Sequence, residues 1–294
     1  MSRRIAARRA SPIDHAVDIL LVLVALAFVV TDDGRAAVDA LRSRLSIMEL
    51  VAGVGFCWYL AVFWTLGLAF LWLDARRPAW AERWRIQPFD RDGDDRDAAP
   101  DVAPARAVQR VLVNQVAGTL PALLAVSPLL AWRGLSSSST PSVIDVVVHL
   151  LLAFSWVEVT FYAVHRVLHR RWWFSRVHRV HHEYRRPSGI ATHHVHFVEH
   201  VIGNLVPVVG GVVVAGVHPV PFFLFITLAV KNAIVTHSDF AFPLLGDVVH
   251  HDRHHHSLVG NFGALGLLDR VFGTSLPAPS EALSGPPGRR RVVR

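Results

Sequence analysis

Histidine is where the chemistry of this sequence is concentrated: sixteen of its eighteen histidines lie between His165 and His256. Most fall into three spaced clusters. His165 and His169 form HxxxH; His178, His181 and His182 form HxxHH; and His251, His254 and His255 repeat HxxHH, with His250 and His256 flanking. Positions three and four apart share one helix face, so each cluster is expected to aim its imidazoles in one direction. That is how a chain builds a metal site. The clusters supply eight imidazoles, more than one metal can use, so the count implies two metals with open positions. Imidazole suits iron, zinc, copper and nickel alike, so the ligands alone do not name the metal.

The elements that would carry these clusters are hydrophobic. The chain is 52% hydrophobic, with a mean hydropathy of +0.36, too apolar for an ordinary soluble domain. A membrane span needs roughly 20 apolar residues. Clear candidates are 47–73, 111–132 (interrupted by Pro121 and Pro128) and 143–164, which carries Asp145 and Glu158. Two shorter stretches, 201–217 and 219–236, are separated by His218 and Pro219. The twelve residues 19–30 are ambiguous. The arginines before them give the look of a signal peptide, but TDDGR follows instead of a small-residue cleavage site, which favours a retained span or half-span. The expected fold is an all-α integral membrane protein of about four to six transmembrane helices with a cytoplasmic, histidine-rich helical cap.

Charge orients the spans. Arg3, Arg4, Arg8 and Arg9 precede the first apolar stretch, eight arginines lie in 74–110, and one lies in 133–142. By the positive-inside rule the first two segments are cytoplasmic, and counting onward puts all three clusters on that side if 19–30 crosses. The net charge of +7 reads as topology-setting arginine facing anionic lipid, not as a nucleic-acid patch. Cys57 is alone and inside a span, so neither a disulfide nor a cysteine-based metal motif is expected. Residues 87–105 read as a polar loop, 136–140 as a short polar turn and 275–294 as a disordered basic tail. The domain plan is therefore 1–110, membrane segments with a polar cytoplasmic loop at about 74–110; 111–274, the catalytic membrane domain; and the tail. His15, His149 and His218 read as satisfied polar residues.

Two segments carry a resemblance. YAVHRVLHRRWWFSRVHRVHHEYRRPSG (162–189) and HHDRHHHSLVGNFGALGLLDRVFGT (250–274) resemble the fatty acid hydroxylase/sterol desaturase superfamily, nearest to its sterol 4-methyl oxidase branch. The likeness covers about 154–274. It implies a non-haem di-iron centre that activates O2 and oxidises an unactivated C–H bond of a lipid. Carried over by motif, the ligands are His165, His169, His178, His181, His182, His251, His254 and His255. His237, in THSDFAFP, matches a further family histidine. His196 matches a histidine that the family usually follows with proline; here Phe197 follows. His196 and His250 are candidate ligands or partners of ligands, and Glu183, Glu199, Asp239, Asp252 and Asp269 are candidate carboxylate partners; Asp269 alternatively pairs with Arg270. His193, His194, His200 and His256 have no assigned role.

Lys231 and Asn232, late in the last span, are candidate substrate contacts, since a charge inside a span points to function; snorkelling to the surface is the alternative for Lys231. Trp156, Phe161, Tyr162, Trp172, Trp173 and Phe174 either line a lipid path or anchor the helix at the interface. With no dinucleotide, flavin or fused haem motif in the chain, electrons are expected from a separate donor, a ferredoxin or small cytochrome with its reductase, docked on the arginine-rich face. The competing readings are a carotenoid or isoprenoid hydroxylase with the same centre, a histidine-rich metal transporter or sensor, and a zinc hydrolase. The transporter should carry ligands near the bilayer midplane, and the hydrolase should show HExxH, which is absent.

Overall fold

A computed structural model of the chain describes residues 12–87, 102–134, 141–184, 186–215 and 218–277. Most of the polar loop and the polar turn, and the tail from 278 onward, lie outside the described residues. Among those described there is no strand, only an isolated bridge between Arg85 and Phe240. Six helices are long and apolar enough to cross a membrane: Ile13–Val30, Glu49–Arg76, Pro104–Trp132, Val143–Leu168, Phe197–Val214 and Pro219–Thr236. Helices satisfy every backbone donor within the segment, which a bilayer interior demands.

The ambiguous first stretch extends to 18 residues because helix Ala16–Val30 continues a 3-10 turn at Pro12–His15. The second, third and fifth spans each contain a π-helical segment, at Glu49–Val54, Gln115–Thr119 and His200–Leu205. Leu20, Leu23 and Leu151 are more than half exposed, as a lipid-facing surface requires.

The acids inside the fourth span have structural tasks. Asp145 closes a capping box with Ser142 at the N-terminus of that span, satisfying two otherwise unpaired donors. Glu158 is buried and accepts from the backbone N–H groups of Leu265 (2.7 Å) and Leu268 (2.9 Å). It thereby pins the last described helix, Leu267–Val271, to the span.

With six crossings, the described residues 77–87, 102–103, 169–184, 186–196 and 237–277 share one side. Contacts tie these segments into a cap. Ile86 N–H donates to the Asp239 carbonyl and Ala241 N–H to the Trp84 carbonyl, both at 2.9 Å. Arg85, 3% exposed, pairs with Asp74, Glu82 and Asp239 and lies 4.2 Å from the Phe240 ring centre. Gln87 donates to Asp252 at 2.6 Å, holding the helix of the third histidine cluster, Val249–Ser257.

Candidate metal centre

The last turn of the fourth span presents His165, and the same helix ends on His169, whose N–H returns to the His165 carbonyl at 3.1 Å. A short helix, Arg171–Arg176, turns the chain into a 3-10 turn, His178–Glu183, that carries the second cluster. His237 caps the sixth span, and helix Val249–Ser257 carries the third cluster.

These nine imidazoles assemble into two groups. His165, His169, His178, His182 and His254 each bring one ring nitrogen within 4.8 Å of the others, and so do His181, His237, His251 and His255. The groups adjoin: the ring centres of His181 and His182 lie 5.2 Å apart. The expectation that each cluster aims in one direction is corrected here. The second cluster sends His178 and His182 to one group and His181 to the other. The third sends His254 to the first group and His251 and His255 to the second. Geometry explains the latter split, because at 3.6 residues per turn positions 251 and 255 nearly superimpose while 254 points about 100° away from 255. The second cluster stands on a 3-10 turn, so the α-helical spacing rule does not govern it.

Hydrogen bonding fixes the tautomers. Nδ1 of His165 faces the Phe262 carbonyl at 2.8 Å, that of His254 the Gly260 carbonyl at 2.8 Å, and that of His237 the Ala233 carbonyl at 2.7 Å. Nδ1 of His178 faces Glu199 Oε1 at 2.7 Å. A ring that donates through Nδ1 and is neutral has only a lone pair at Nε2. Burial keeps the rings outside the spans neutral: it lowers His169 to about 2 and His237 to about 4. It also drives His178, His181, His182, His251, His254 and His255 well below the ordinary histidine value. Yet Nε2 atoms face one another at 2.9 Å (His178–His169), 3.1 Å (His169–His254) and 3.0 Å (His182–His178). In the second group His251 and His237 do so at 2.9 Å, and His237 and His181 at 3.3 Å. The single N–H left to His169 cannot serve both His178 and His254, whose Nε2 atoms carry lone pairs only. Buried Nε2 of His165 and both ring nitrogens of His255 have no partner among the described residues. A cation held by each group would take up the opposed Nε2 lone pairs, His165 Nε2 and one nitrogen of His255, so the residues fit a two-metal centre.

The remaining sequence candidates fall outside the groups. Glu199 orients His178, as a carboxylate behind a metal-binding histidine does. Glu183 instead accepts from His194 (3.0 Å) and Arg106 (3.3 Å). Burial acts to raise this carboxyl, and those partners hold it below its ordinary range. Asp239 is taken by Arg85 and the Gln87 N–H. Asp252 binds Gln87, and its burial raises it to about 6. Asp269 does not close the cap through Arg270. It accepts from Phe262 N, Gly263 N and the Thr274 hydroxyl at 2.8, 2.7 and 2.6 Å, and so shapes the loop whose Phe262 carbonyl orients His165. His250 Nε2 lies 3.5 Å from Asp269. His196 caps a short helix by accepting from Val198 N, and His256 is exposed.

Lys231, the candidate substrate contact, is buried against Asp18 of the first span at 2.6 Å, so it neither snorkels nor faces substrate. His15 pairs with Asp18 and His218 caps the sixth span, whereas buried His149 Nδ1 lacks a partner among the described residues, against the expectation that it is satisfied. Of the aromatics, Phe161 lines a cavity. Trp156 donates to the Val206 carbonyl, Tyr162 stacks on Phe272, and Phe174 packs on His169 and His182. Trp172 stands exposed, with Trp173 edge-on against it.

That cavity, about 170 Å³, links the metal groups to the spans: its wall includes His165, His181, His237 and His251 at one end and Leu123, Val208 and Ile226 within the spans. Asn232 also lines it. Tyr59, Glu158 and Gln87 are the residues that sequence reasoning missed, because none sits in a motif and each acts on a partner more than 100 positions away.

Residues 150–274 match the family described as fatty acid hydroxylase. The chain is 32% identical to fatty acid hydroxylase ahd1 of Mycosarcoma maydis over 68% of its own length and 51% of that protein. It is 29% identical to methylsterol monooxygenase 2-2 of Arabidopsis thaliana, covering 80% and 89% of the two chains. It is 31% identical to very-long-chain aldehyde decarbonylase GL1-11 of Oryza sativa subsp. indica, covering 58% and 68%. The chain thus spans about half the length of the fungal relative. No solved structure matches it.

Proposed function

Because the chain belongs to the fatty acid hydroxylase family, we propose that it is a membrane-bound di-iron oxygenase that hydroxylates or desaturates a lipid. The observation that carries this reading is the pair of all-histidine groups, with opposed Nε2 lone pairs, at the inner end of a cavity walled by membrane spans. His165, His169, His178, His182 and His254 would hold one iron, and His181, His237, His251 and His255 the other. When bound, the two ions would supply the activation of O2 by two external electrons and two protons; in hydroxylation one oxygen atom enters a C–H bond and the other leaves as water, and in desaturation both leave as water with the two hydrogens taken from the lipid.

The chain's own residues do the rest. The Phe262, Gly260 and Ala233 carbonyls and Glu199 fix the ring tautomers before any metal arrives. The apolar wall, including Phe154 and Phe161, excludes water and positions hydrocarbon against the centre. Electrons come from a separate donor. Exposed Arg83, Arg106, Arg170, Arg176 and Arg179 on the histidine side offer an acidic ferredoxin or small cytochrome a docking face. That side is cytoplasmic by the arginine distribution.

Elemental analysis of purified protein should give two irons per chain; one zinc, or no metal, would sink the reading. In a lipid-producing host, comparative mass spectrometry should show a lipid gaining one oxygen or losing two hydrogens. His181→Ala should abolish that product, and turnover at the native rate would refute the site.

A further inference from the structure

The cavity wall is not uniformly apolar. Besides the histidines of the two groups, Tyr59, Thr119, Thr192, His193 and Asn204 also line it. Tyr59, Thr119 and Asn204 stand on spans, and Thr192 and His193 stand on the 3-10 turn Gly189–His193 that packs against the second, third and sixth spans. The Tyr59 hydroxyl lies 2.9 Å from His193 Nδ1. Thr119 Oγ1 lies 3.0 Å from His200 Nε2, and Asn204 donates to the Thr192 carbonyl at 3.2 Å. Thr119 stands on one π-helical segment, His200 and Asn204 on another, and π segments concentrate at functional sites. At Gly118 an added Cβ would meet His200 Cδ2 at 2.7 Å, so the two segments need glycine there to approach this closely. Polar side chains at membrane depth are costly and point to function.

Two further observations point to a ligand. Glu199, 5% exposed and on the cavity wall, has an Oε2 with no partner among the described residues. His193 is only half-buried although it lines an interior cavity, and no described residue bonds its Nε2.

We propose that the Tyr59–His193 pair receives a hydroxyl group of the lipid, so that the substrate enters polar end first and is oxidised within a few carbons of that group. This rests on the oxygenase reading above. The chemistry selects a hydroxyl. If the tyrosine donates to Nδ1, Nε2–H of His193 donates to the ligand; if Nδ1–H donates to the tyrosine, Nε2 accepts from it. A hydroxyl serves both cases, being donor and acceptor, whereas a carboxylate only accepts. No lysine or arginine lines the cavity among the described residues, so an anionic head has no counter-charge. Size gives the direction. A cavity of about 150 Å³ holds benzene, so about 170 Å³ admits one ring or a short run of carbons, and the rest of the lipid stays outside. A hydrocarbon end inserted first would leave His193 Nε2 desolvated and without a partner, the situation by which a hydrogen-bonding site rejects an analogue lacking the group.

The test is equilibrium retention of tritiated probes by metal-loaded protein in nanodiscs. Two matched pairs serve: 5α-cholestan-3β-ol against 5α-cholestane, and hexadecanol against hexadecane. At least one alcohol should bind about tenfold or more tightly than its hydrocarbon. Tyr59→Phe and His193→Leu should each erase most of that preference while leaving hydrocarbon affinity unchanged. Preference confined to the sterol pair assigns a ring lipid, and preference confined to the chain pair a long-chain alcohol. Equal binding within both pairs, no binding of either alcohol, or an undiminished preference in both variants overturns the inference. Metal content measured on the same samples keeps the two readings apart: two irons with no hydroxyl preference sink this inference alone.

Discussion

At the residue scale, the site is a problem of protons as much as of metal. Nine imidazoles are packed so closely that they can be neither charged together nor mutually hydrogen-bonded. Burial lowers His237 to about 4, His169 to about 2 and the other rings outside the spans well below the ordinary histidine value. A lowered folded-state value means that the stability held by neutral rings is present above the ordinary histidine pKa of about 6.5 and is lost as pH falls below it. The metal-free protein in detergent should therefore melt at progressively lower temperature between pH 7 and about pH 4. Iron should displace that loss to lower pH, because metal competes with protons for the same lone pairs. A melting temperature flat across the window in the metal-free protein would contradict the assignment of neutral, crowded rings. Glu199 shows how one ligand is prepared. Its carboxyl fixes His178 through Nδ1 from a position 21 residues later in the chain, so the clusters alone do not reveal it.

At the element scale, the spans must stand close enough to bring three clusters from three helix ends to one place. The fourth and fifth spans do so by a bare surface: an added Cβ at Gly210 would lie 2.9 Å from Trp156 Cε2, and one at Gly211 3.1 Å from the Ala153 carbonyl. Gly210→Val should cost about 1–3 kcal/mol by overpacking and lower the thermal midpoint together with iron occupancy. Gly53→Ala, where a Cβ meets nothing within 4 Å, should leave both unchanged or slightly improved. Equal behaviour of the two variants would show that close packing of these spans does not matter. The existence and approximate bounds of the helices were legible in the sequence, since a run of 26 apolar-rich residues such as Val143–Leu168 leaves little choice. The π segments and the 3-10 turn of His178–Glu183 were not, because the backbone adopts them to satisfy contacts with other spans.

At the scale of the whole molecule, the ends of the second, fourth and sixth spans converge on one cap. Arg85 and Gln87 lace the loop after the second span to Asp239 and Asp252, and Lys231 ties the sixth span to Asp18 of the first. Because Cys57 is the sole cysteine, topology can be read by labelling. In a Cys57→Ser background, cysteines at Arg77 and Arg170 should react with an impermeant thiol reagent from the same face, and one at Arg35 only from the other. Labelling of all three from a single face would rule out the six-crossing arrangement.

Composition and periodicity by themselves determined that this is a helical membrane protein, because apolar length is a local property that no packing partner alters. Spacing singled out eight histidines as candidate ligands, and motif resemblance added His237. What only the tertiary structure decided is how those nine divide, five and four, across cluster boundaries. It also decided which carboxylate stands behind which ring, and that Lys231 is spent on Asp18 while Tyr59 and His193 face the cavity. The physical reason is the same in each case: a side chain's direction along its own helix is written locally, but the atom it meets is set by how separate helices pack, and that depends on residues scattered along the whole chain.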